Sequence, residues 1–439
     1  MTDPRPVIAL KRYESSPDSL RELIELCGGF DRLKPDHRVL IKPNLMALDK
    51  SYPMPLYGVF TTTRLVNDMV LLLKEFGVDD ITIGEGSARS KHLGVPTTGI
   101  FQVLGYPLLT ERYGVKLVDL FEGPFQSLDF GEFALEVSRP ILENDFLVNM
   151  PVLKTHNQAV LSLGLKNLNG SLSAKSRKFC HGRGRVLDHH LSFLLEKIRP
   201  ALTVLDGIYG LERGPFYQGK AVVMKALAGS RDPVAVEVAG AELAGMSPES
   251  VPYIKEYANR HGLSLNLSDY ELRGTPIQEL RRPLKWDNHW REDNTGPKAW
   301  DRLGIFGISL PKYDKSLCTG CSGLYGPLLT LIMASYTGAP SQEIEILTGK
   351  TMKPSGRAAK TVLFGNCMIK ENRKDPAIKE SILLKGCPPS LEAVFDALAQ
   401  CGIQVREDVY ADFRQTLVDR YKGKEGFDES FFYLDKFTR

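Results

Sequence analysis

The sequence has no long hydrophobic run and little net charge. Its longest apolar stretches, residues 69–73 and 328–333, fall well short of the ~20 residues that a membrane-spanning helix needs. The 56 Lys and Arg residues nearly balance the 53 Asp and Glu residues, and a net charge of +3 does not indicate nucleic-acid binding. The N-terminus also lacks the charged start and apolar core of a secretory signal. We therefore expect a cytoplasmic protein with no membrane span and no nucleic-acid partner.

Two common nucleotide-binding motifs are missing as well. No GxxxxGKS/T segment follows a predicted strand, and residues 349–351 (GKT) only echo its last positions. No GxGxxG segment follows a predicted strand either. The sequence therefore indicates neither a P-loop nor a Rossmann dinucleotide site.

Short apolar strands that end in polar, often glycine-bearing loops recur through the first ~240 residues. An amphipathic helical pattern over residues 61–76 separates the first two of these strands. Strands that alternate with helices indicate an α/β fold, with parallel sheets and flanking helices. Ligands of such sheets bind beyond the carboxyl ends of the strands. If the strands share a sheet, the following residues gather at one rim: Lys42, Asn44, Glu85, Lys154, His156 and Asp206.

Composition changes along the chain predict four regions. Residues 1–245 form an α/β domain, 246–302 a polar insertion or linker, 303–405 a second α/β domain, and 406–439 a C-terminal helix with an aromatic tail. We expect the tail to dock on the protein's own body. The insertion holds all three tryptophans, which we expect to pack between domains, with a tryptophan-lined ligand cleft as the alternative.

Cysteine is scarce, and seven residues in a chain of this length do not indicate a disulfide framework. Four of them follow a spaced pattern: a CxxC pair at Cys318 and Cys321, then Cys367, then Cys387. Four thiolates are what a 4Fe–4S cluster requires, and helix N-termini after strands favour an anionic cluster. A zinc site closes more often with two tight pairs, and a thioredoxin-like CxxC needs no distant partners. Coincidental free cysteines are the remaining alternative.

The segments CTGCSG, GNC and GCPP occur in this order within residues 303–405. The order resembles the motif of nickel–iron hydrogenase small subunits and of the cluster-bearing subunit of respiratory complex I, although the spacings are shorter here. The resemblance implies a flavodoxin-like cluster domain. It also implies that the 4Fe–4S ligands are Cys318, Cys321, Cys367 and Cys387.

Residues 5–245 resemble the domain-of-unknown-function family 362. The resemblance rests on LIKPN (40–44), GEGS (84–87), NMPVLKTH (149–156), GLKNLNG (164–170), LTVLDGIYGLERGP (202–215) and GSRDPVAVE (229–237). This family is often linked to iron–sulfur centres, and most of its members lack an assigned reaction. The resemblance therefore implies a link to such centres and no particular substrate.

The motif residues favour a small anionic substrate. Lysines supply positive charge, asparagines supply amide donors, and backbone N–H groups in GEGS and GLKNLNG can cradle a carboxylate or phosphate. The candidate substrate-binding residues are Lys42, Asn44, Ser87, Asn149, Lys166, Asn167 and Asp206.

The candidate catalytic residues are His156, Glu85 and Lys154, because a histidine or carboxylate can move protons near neutral pH. His181 has two interpretations, a residue of a basic loop or one that delivers a proton or ligates a metal. Several polar residues of the motifs also have a purely structural interpretation. Glu85 could pair with a lysine, Asn149 and Asn167 could tie turns together, and Asp232 before Pro233 is typical of a helix N-cap.

We expect an iron–sulfur oxidoreductase or electron-transfer protein that acts on a small anion and exchanges electrons with a partner such as a ferredoxin. A homo-oligomer is the open expectation for its assembly. One alternative is a cluster-dependent lyase or dehydratase with one iron open to substrate. Another is a non-enzymatic protein with a structural or sensing cluster.

Overall fold

A computed structural model describes residues 5–49, 51–89, 94–183, 187–336 and 342–436. The strands are β1 Val7–Arg12, β2 Val39–Pro43, β3 Ile81–Glu85, β4 Lys116–Asp119, β5 Phe125–Asp129, β6 Ala134–Ser138, β7 Phe146–Met150, β8 Val152–His156, β9 Val160–Ser162, β10 Leu202–Glu212, β11 Lys220–Ser230, β12 Glu271–Gly274, β13 Ile308–Ser309, β14 Ile344–Leu347, β15 Lys360–Phe364 and β16 Glu380–Leu384.

Helices connect and cover these strands. They are α1 Asp18–Cys27, α2 Thr63–Phe76, α3 Thr97–Val103, α4 Pro107–Tyr113, α5 Gly164–Asn167, α6 Ala174–Cys180, α7 Leu187–Ser192, α8 Leu194–Lys197, α9 Pro233–Leu243, α10 Pro252–His261, α11 Ile277–Leu280, α12 Ala299–Leu303, α13 Thr319–Ser335, α14 Gly365–Asn372, α15 Leu391–Gln400 and α16 Glu407–Asp419. Short 3-10 helices lie at Arg139–Ile141, Leu168–Ser171, Pro248–Ser250, Leu267–Asp269, Glu429–Phe432 and Leu434–Lys436.

The large sheet has the order β12-β1-β11-β10-β7-β2-β3-β4, and β8 joins it by pairing with β10 and β9. The neighbours β10, β7, β2, β3 and β4 run parallel, whereas β11 is antiparallel to both β1 and β10. The predicted α/β class with flanking helices is confirmed. The carboxyl ends of β2, β3 and β7 meet at one edge of this sheet, as expected of parallel neighbours.

Local sequence explains the central elements. Every residue of β2 and β7 is buried, as their apolar runs require of parallel strands covered on both faces. Helix α2 buries Leu65, Met69 and Leu72 along one stripe. It ends at Gly77, whose φ of 98° closes the helix in the left-handed conformation that glycine adopts without strain. The helix predicted over residues 61–76 is thereby confirmed to within two residues.

The second sheet carries the cysteine loops. Its described strands are parallel and lie in chain order, β13-β14-β15-β16, whereas a flavodoxin-like sheet has the order 2-1-3-4-5. The apolar run over residues 304–310 predicts a strand of that length, but the strand is only Ile308–Ser309. Gly304 and Gly307 have φ values of 65° and 74°, which break an extended strand.

The C-terminal segment packs on the N-terminal part of the chain. Phe432 and Leu434 are buried in the core that surrounds α2, and the Thr63 hydroxyl donates a hydrogen bond of 2.9 Å to the Phe432 carbonyl. Arg414 of α16 is fully buried, lies 3.8 Å from the centre of the Tyr217 ring and pairs with Asp49. The tail therefore docks on the protein's own body, as predicted.

The tryptophans behave differently from one another. Trp300 is completely buried and packs in the core of the second sheet, Trp286 is exposed, and Trp290 is partly buried. Across the described ranges, no helix is long and apolar enough to cross a membrane.

Candidate functional site

A cavity of about 230 Å³ lies between the rim of the large sheet and the N-terminal half of α13. Several predicted rim residues line it, as do backbone and small side chains of α13. The predicted rim contributes Asn44, Glu85, Lys154 and His156, and the short helix α5 adds the predicted binding residues Lys166 and Asn167. Helix α13 contributes Thr319, Gly320, Ser322, Gly323, Tyr325 and Gly326. The convergence of strand ends that the sequence indicates thus forms one wall, and the CxxC helix forms another.

A buried ion pair supports the floor of the rim. The Lys42 ammonium contacts the Glu85 carboxylate, and both side chains are almost completely buried. Burial lowers the pKa of Lys42, and the Glu85 charge opposes that shift. Lys42 itself does not line the cavity. The pairing interpretation of Glu85 is therefore the one that the structure supports, and Lys42 acts on the cavity through Glu85 and through a contact of 3.5 Å with Asn167 Oδ1.

Three asparagines tie the rim to the short helix α5. Asn44 Nδ2 donates to Asn167 Oδ1 at 2.9 Å, and Asn167 Nδ2 donates to Asn149 Oδ1 at 2.8 Å. Asn149 Nδ2 in turn donates to the Gly164 carbonyl at 2.9 Å. Asn149 is buried away from the cavity. These amides hold the GLKNLNG turn, as the structural interpretation of Asn149 and Asn167 predicts.

Lys154 lies inside β8, although the sequence suggested a loop there. Its ammonium donates to Asn44 Oδ1 and, at 2.8 Å, to the Val59 carbonyl. Burial and the nearby charge of Lys166 hold the pKa of Lys154 well below its usual range. Lys154 is therefore a poor source of permanent positive charge, and its role is to orient Asn44.

Like Arg213, Lys166 lines the cavity without an ion-pair partner among the described residues. Within the described part of the chain its amine makes no hydrogen bond or ion pair, and its side chain lines the cavity. Burial lowers the pKa of Lys166 to about 8, and the Asp188 carboxylate opposes this shift. At neutral pH it is mostly protonated and able to bind an anion.

His156 presents a hydrogen-bond donor to the cavity. Its Nδ1 accepts hydrogen bonds from the backbone N–H groups of Gln158 and Ala159 at 3.2 and 3.3 Å, so the proton of the neutral ring is on Nε2. Burial, reinforced by Lys166 and Lys154, holds the pKa of His156 well below its usual range. The ring is neutral at physiological pH.

His181 presents the opposite polarity. Its Nδ1 lies 2.9 Å from the Lys315 carbonyl, which can only accept, so Nδ1 carries the proton and Nε2 has a free lone pair. Burial lowers the pKa of His181 to about 4. His181 lines the cavity and is the better candidate for accepting a proton, although the sequence left its role open.

Two predicted binding residues lie outside the cavity. Asp206 sits in the middle of β10, because that strand continues for seven residues beyond Leu205, where its apolar run predicts its end. The Asp206 carboxylate accepts from the N–H groups of Thr62 and Ile208 at 2.6 and 3.0 Å. Burial raises the pKa of Asp206 to about 6. The Ser87 hydroxyl donates to the Leu45 carbonyl. Both side chains bind backbone groups outside the cavity and do not line it.

Sequence reasoning missed Arg177, which also lines the cavity. Its guanidinium donates to the carbonyls of Leu172 and Gly170 at 2.9 and 2.7 Å and lies 5.1 Å from the centre of the Phe121 ring. Arg177 lies in α6 and directly precedes the basic segment of residues 178–184 (KFCHGRG). That position was the sequence signal that could have identified it.

The CxxC pair occupies the start of α13. Cys318 is the N-cap residue, and Cys321 lies in the first turn. A hydrogen bond with the Cys321 thiol, with help from the backbone N–H groups of Gly320 and Cys321, lowers the pKa of Cys318 to about 5. Cys318 is therefore the thiolate of the pair.

The other two cysteine loops lie against this helix start. Asn366 N–H donates to the Gly386 carbonyl at 2.9 Å, and the Gly386 N–H donates to Asn366 Oδ1 at 2.9 Å, so the Cys367 and Cys387 loops are joined. A Cβ atom on Gly320 would lie 3.0 Å from Pro388 Cδ, and one on Gly365 would lie 3.2 Å from Cys321 Sγ. All three loops are thus in direct contact.

Electrostatic interactions link the four thiols. The charges of Cys318, Cys387 and Cys367 all act on Cys321 and contribute to its raised pKa. The Lys178 ammonium lies 3.7 Å from Cys387 Sγ, and the charges of Cys387, Cys367 and Cys318 raise its pKa. Among the described residues, no group of three or more His, Cys, Asp or Glu side chains is arranged to hold a metal ion. Two lysines act on these thiols, Lys178 beside Cys387 and Lys350, whose charge helps to lower the pKa of Cys318.

Short segments join the cavity to the cysteine loops. Gln158 Nε2 donates to the carbonyls of Asp314 and Leu317 at 2.8 and 3.0 Å, directly before Cys318. The Lys350 ammonium donates to the His181 carbonyl. None of the four cysteines lines the cavity. The cysteine site is therefore separate from the cavity but shares the start of α13 with it.

Residues 39–242 match the family model described as "Domain of unknown function (DUF362)". The chain is also 30% identical over 261 residues to the thylakoid-associated protein sll1697 of Synechocystis sp., an alignment that covers 58% of this chain and 77% of the relative. The chain belongs to the DUF362 family.

The solved structure of the lactate racemase apoprotein from Thermoanaerobacterium thermosaccharolyticum is similar at 15% sequence identity and a TM-score of 0.38. That similarity covers 55% of this DUF362 protein and 58% of the lactate racemase chain.

The family match covers the rim of the cavity but not the cysteine loops. It spans the residues of β2, β3, β7 and β8 and the segments that hold Lys166 and His181. It ends at residue 242, before the CxxC helix. The resemblance of the cysteine motif to hydrogenase small subunits therefore stays a prediction.

Proposed function

We propose that this DUF362 protein is an iron–sulfur oxidoreductase or electron-transfer protein that acts on a small anion bound in the cavity. The observation that carries the proposal is that the three loops bearing the four thiols are in contact at the helix start that also forms the cavity wall. A redox centre placed there would lie within one helix turn of the ligand.

The residues present fit a 4Fe–4S cluster in donor type and surroundings. Cys318, Cys321, Cys367 and Cys387 would hold it, because iron–sulfur clusters take four Cys thiolates. The absent Cβ of Gly365 lets the Cys321 thiol lie close to the backbone of the loop that carries Cys367. The N-termini of α13 and α14 favour the negative charge of a cluster. When bound, the cluster would supply electron transfer.

The residues of the chain itself would bind and orient the anion. The Lys166 ammonium would contact its charged group, and His156 Nε2–H would donate a hydrogen bond to the same group. A charge-assisted hydrogen bond in a desolvated site is stronger than a neutral one. Glu85, held by Lys42, is a weaker candidate for catalysis because its charge is already compensated.

His181 would handle the proton that accompanies electron transfer to or from an organic anion. Its Nε2 lone pair is the proton-accepting atom of the cavity, and its lowered pKa means that a captured proton is readily returned. The hydrogen bond from Nδ1 to Lys315 fixes the tautomer, as a buried carbonyl acceptor commonly does.

Redox titration of protein purified without oxygen tests this proposal. We expect a reversible visible bleaching and a low-temperature EPR signal on reduction with dithionite. We expect Cys318→Ser and Cys367→Ser to abolish both signals, whereas the control Cys401→Ser, at a buried cysteine outside the cluster motif, should retain them. A wild-type protein that shows no reducible centre, or cysteine variants that keep the signal, would contradict the proposal.

A further inference from the structure

The cavity has an aromatic wall in addition to its cationic one. Tyr313 and Tyr325 have ring centres 4.4 Å apart at an interplanar angle of 72°, and Trp290 lies 6.4 Å from Tyr325. All three line the cavity. They come from the insertion and the second domain, whereas Lys166, His156 and His181 come from the first domain.

The aromatic wall is held in place before any ligand arrives. Trp290 Nε1–H donates to the Leu310 carbonyl at 3.1 Å, and the Tyr325 hydroxyl donates to the Pro311 carbonyl at 2.9 Å. These bonds fix two of the rings, so a ligand that stacks on them loses little rotamer freedom. The Tyr313 hydroxyl has no hydrogen-bond partner among the described residues.

The charges of the cavity are unequal at its two walls. The Lys166 amine has no partner in the described ranges, whereas Lys312 beside the aromatic wall is already paired with Asp287. Arg213 also lines the cavity without an ion-pair partner among the described residues. The cavity therefore attracts a negatively charged ligand, and the aromatic wall offers an apolar contact.

The size of the cavity limits the ligand to about one ring. An apolar cavity of about 150 Å³ is large enough for benzene, and this cavity of about 230 Å³ leaves additional room for a carboxylate. A dinucleotide or a coenzyme thioester does not fit in that volume.

We propose that the cavity binds an aromatic monocarboxylate of one ring, with the carboxylate against Lys166 and His156 and the ring against Trp290, Tyr313 and Tyr325. The inference rests on the proposed function for the reaction that follows, but binding itself requires no turnover. Aromatic faces gain a specific contact with a planar ring beyond the area that they bury.

Calorimetric titration of the protein purified without oxygen tests the inference, with benzoate as the probe. Benzamide, cyclohexanecarboxylate and acetate each lack one feature of benzoate. We expect each of them to bind at least about fivefold more weakly than benzoate. Equal affinity for benzoate and acetate, or no benzoate binding, would overturn the inference.

Substitutions in each wall then measure how much that wall contributes to benzoate binding. We expect Lys166→Gln to weaken benzoate binding about tenfold or more while leaving benzamide unchanged. Trp290→Leu and Tyr313→Leu should each weaken benzoate several-fold, whereas the control Trp286→Leu, at an exposed tryptophan outside the cavity, should not. We use two leucine variants so that a folding defect in one of them does not decide the test. Benzoate binding that is unaffected by Lys166→Gln or by both leucine variants would overturn the inference.

Measuring both the redox signal and benzoate binding on the same protein distinguishes this inference from the proposed function. A Cys318→Ser protein that loses the redox signal but still binds benzoate is the expected result. Wild-type protein with a reducible centre but no benzoate binding would overturn only the inference. Benzoate binding by a protein without any reducible centre would overturn only the proposed function.

Discussion

His156 and His181 line the same cavity with their Nε2 atoms in opposite hydrogen-bonding states. His156 Nε2 is a donor because its Nδ1 accepts from two backbone N–H groups, and His181 Nε2 is an acceptor because its Nδ1 donates to the Lys315 carbonyl. The backbone, rather than another side chain, sets each tautomer. The cavity therefore offers one donor and one acceptor whose polarities do not interchange.

The two buried imidazoles make stability depend on pH. The folded-state pKa of His181 is about 4, and that of an unfolded histidine is about 6.5, so the unfolded chain binds more protons between these values. The free energy of unfolding should fall as pH drops from 6.5 to 4, by about 2–3 kcal/mol for His181 alone. Urea unfolding of wild type and His181→Asn across this range should show a flatter profile in the variant. A control at the exposed His289 should keep the wild-type slope, and an unchanged slope in His181→Asn would contradict the assignment.

The buried Lys42–Glu85 pair should be costly to break from one side. Lys42→Met leaves a buried carboxylate without its cation, and we expect a loss of about 3–5 kcal/mol in the free energy of unfolding. The double variant Lys42→Met/Glu85→Gln should lose less than the single variant, because no buried charge is left unpaired. Disruption of the exposed Arg38–Asp145 pair by Asp145→Asn serves as the control, and we expect a clearly smaller loss there because solvent screens an exposed pair. Equal losses for the buried and the exposed pair would be inconsistent with this account.

Asp232 caps helix α9. Its carboxylate accepts from the N–H groups of Val234 and Ala235 at 2.8 and 3.3 Å, as the Asp-Pro sequence predicts. Asp232→Ala should lower the free energy of unfolding by about 1 kcal/mol, and Asp232→Ser should recover most of it. Thermal or urea denaturation measures both, and a destabilised serine variant would show that the aspartate does more than cap the helix.

Gly365 has two reasons to be glycine. Its φ is 85°, and a Cβ atom would lie 3.2 Å from Cys321 Sγ. Gly423 has a φ of 68°, and a Cβ atom there would meet nothing within 4 Å, so Gly423→Ala isolates the backbone cost of about 1 kcal/mol. We expect Gly365→Ala to cost more than Gly423→Ala and also to lower iron retention. Iron content equal to wild type in Gly365→Ala would show that the space beside Cys321 is not used.

Local pattern predicted the framework, and long-range contacts decided the rest. The apolar runs of β2 and β7 and the stripe of α2 are visible in the sequence because burial on a sheet or helix face imposes a period. The end of β10 was misjudged, since residues 206–212 continue the strand by pairing with β11, a partner that no local signal identifies. Asp206 was consequently placed at the rim instead of inside the sheet.

The site was predictable only in part for the same reason. His156 was expected at the rim because it follows a strand, and Lys166 and Asn167 were candidate binding residues because of the chemistry of the GLKNLNG motif. The tautomer of His181 depends on Lys315, 134 residues away, and the aromatic wall combines Trp290 with Tyr313 and Tyr325. Contacts between segments that are distant in the chain are set by tertiary packing and leave no periodic signal in the sequence.

Iron and acid-labile sulfide per chain, counted in protein prepared without oxygen, test the central claim most directly. We expect about four of each in wild type and in Cys401→Ser, as a cubane cluster requires, and a large loss of both in Cys321→Ser, whose thiol interacts with all three other candidates. Stoichiometric zinc without sulfide, or iron that is retained when Cys321 is replaced, would contradict the account.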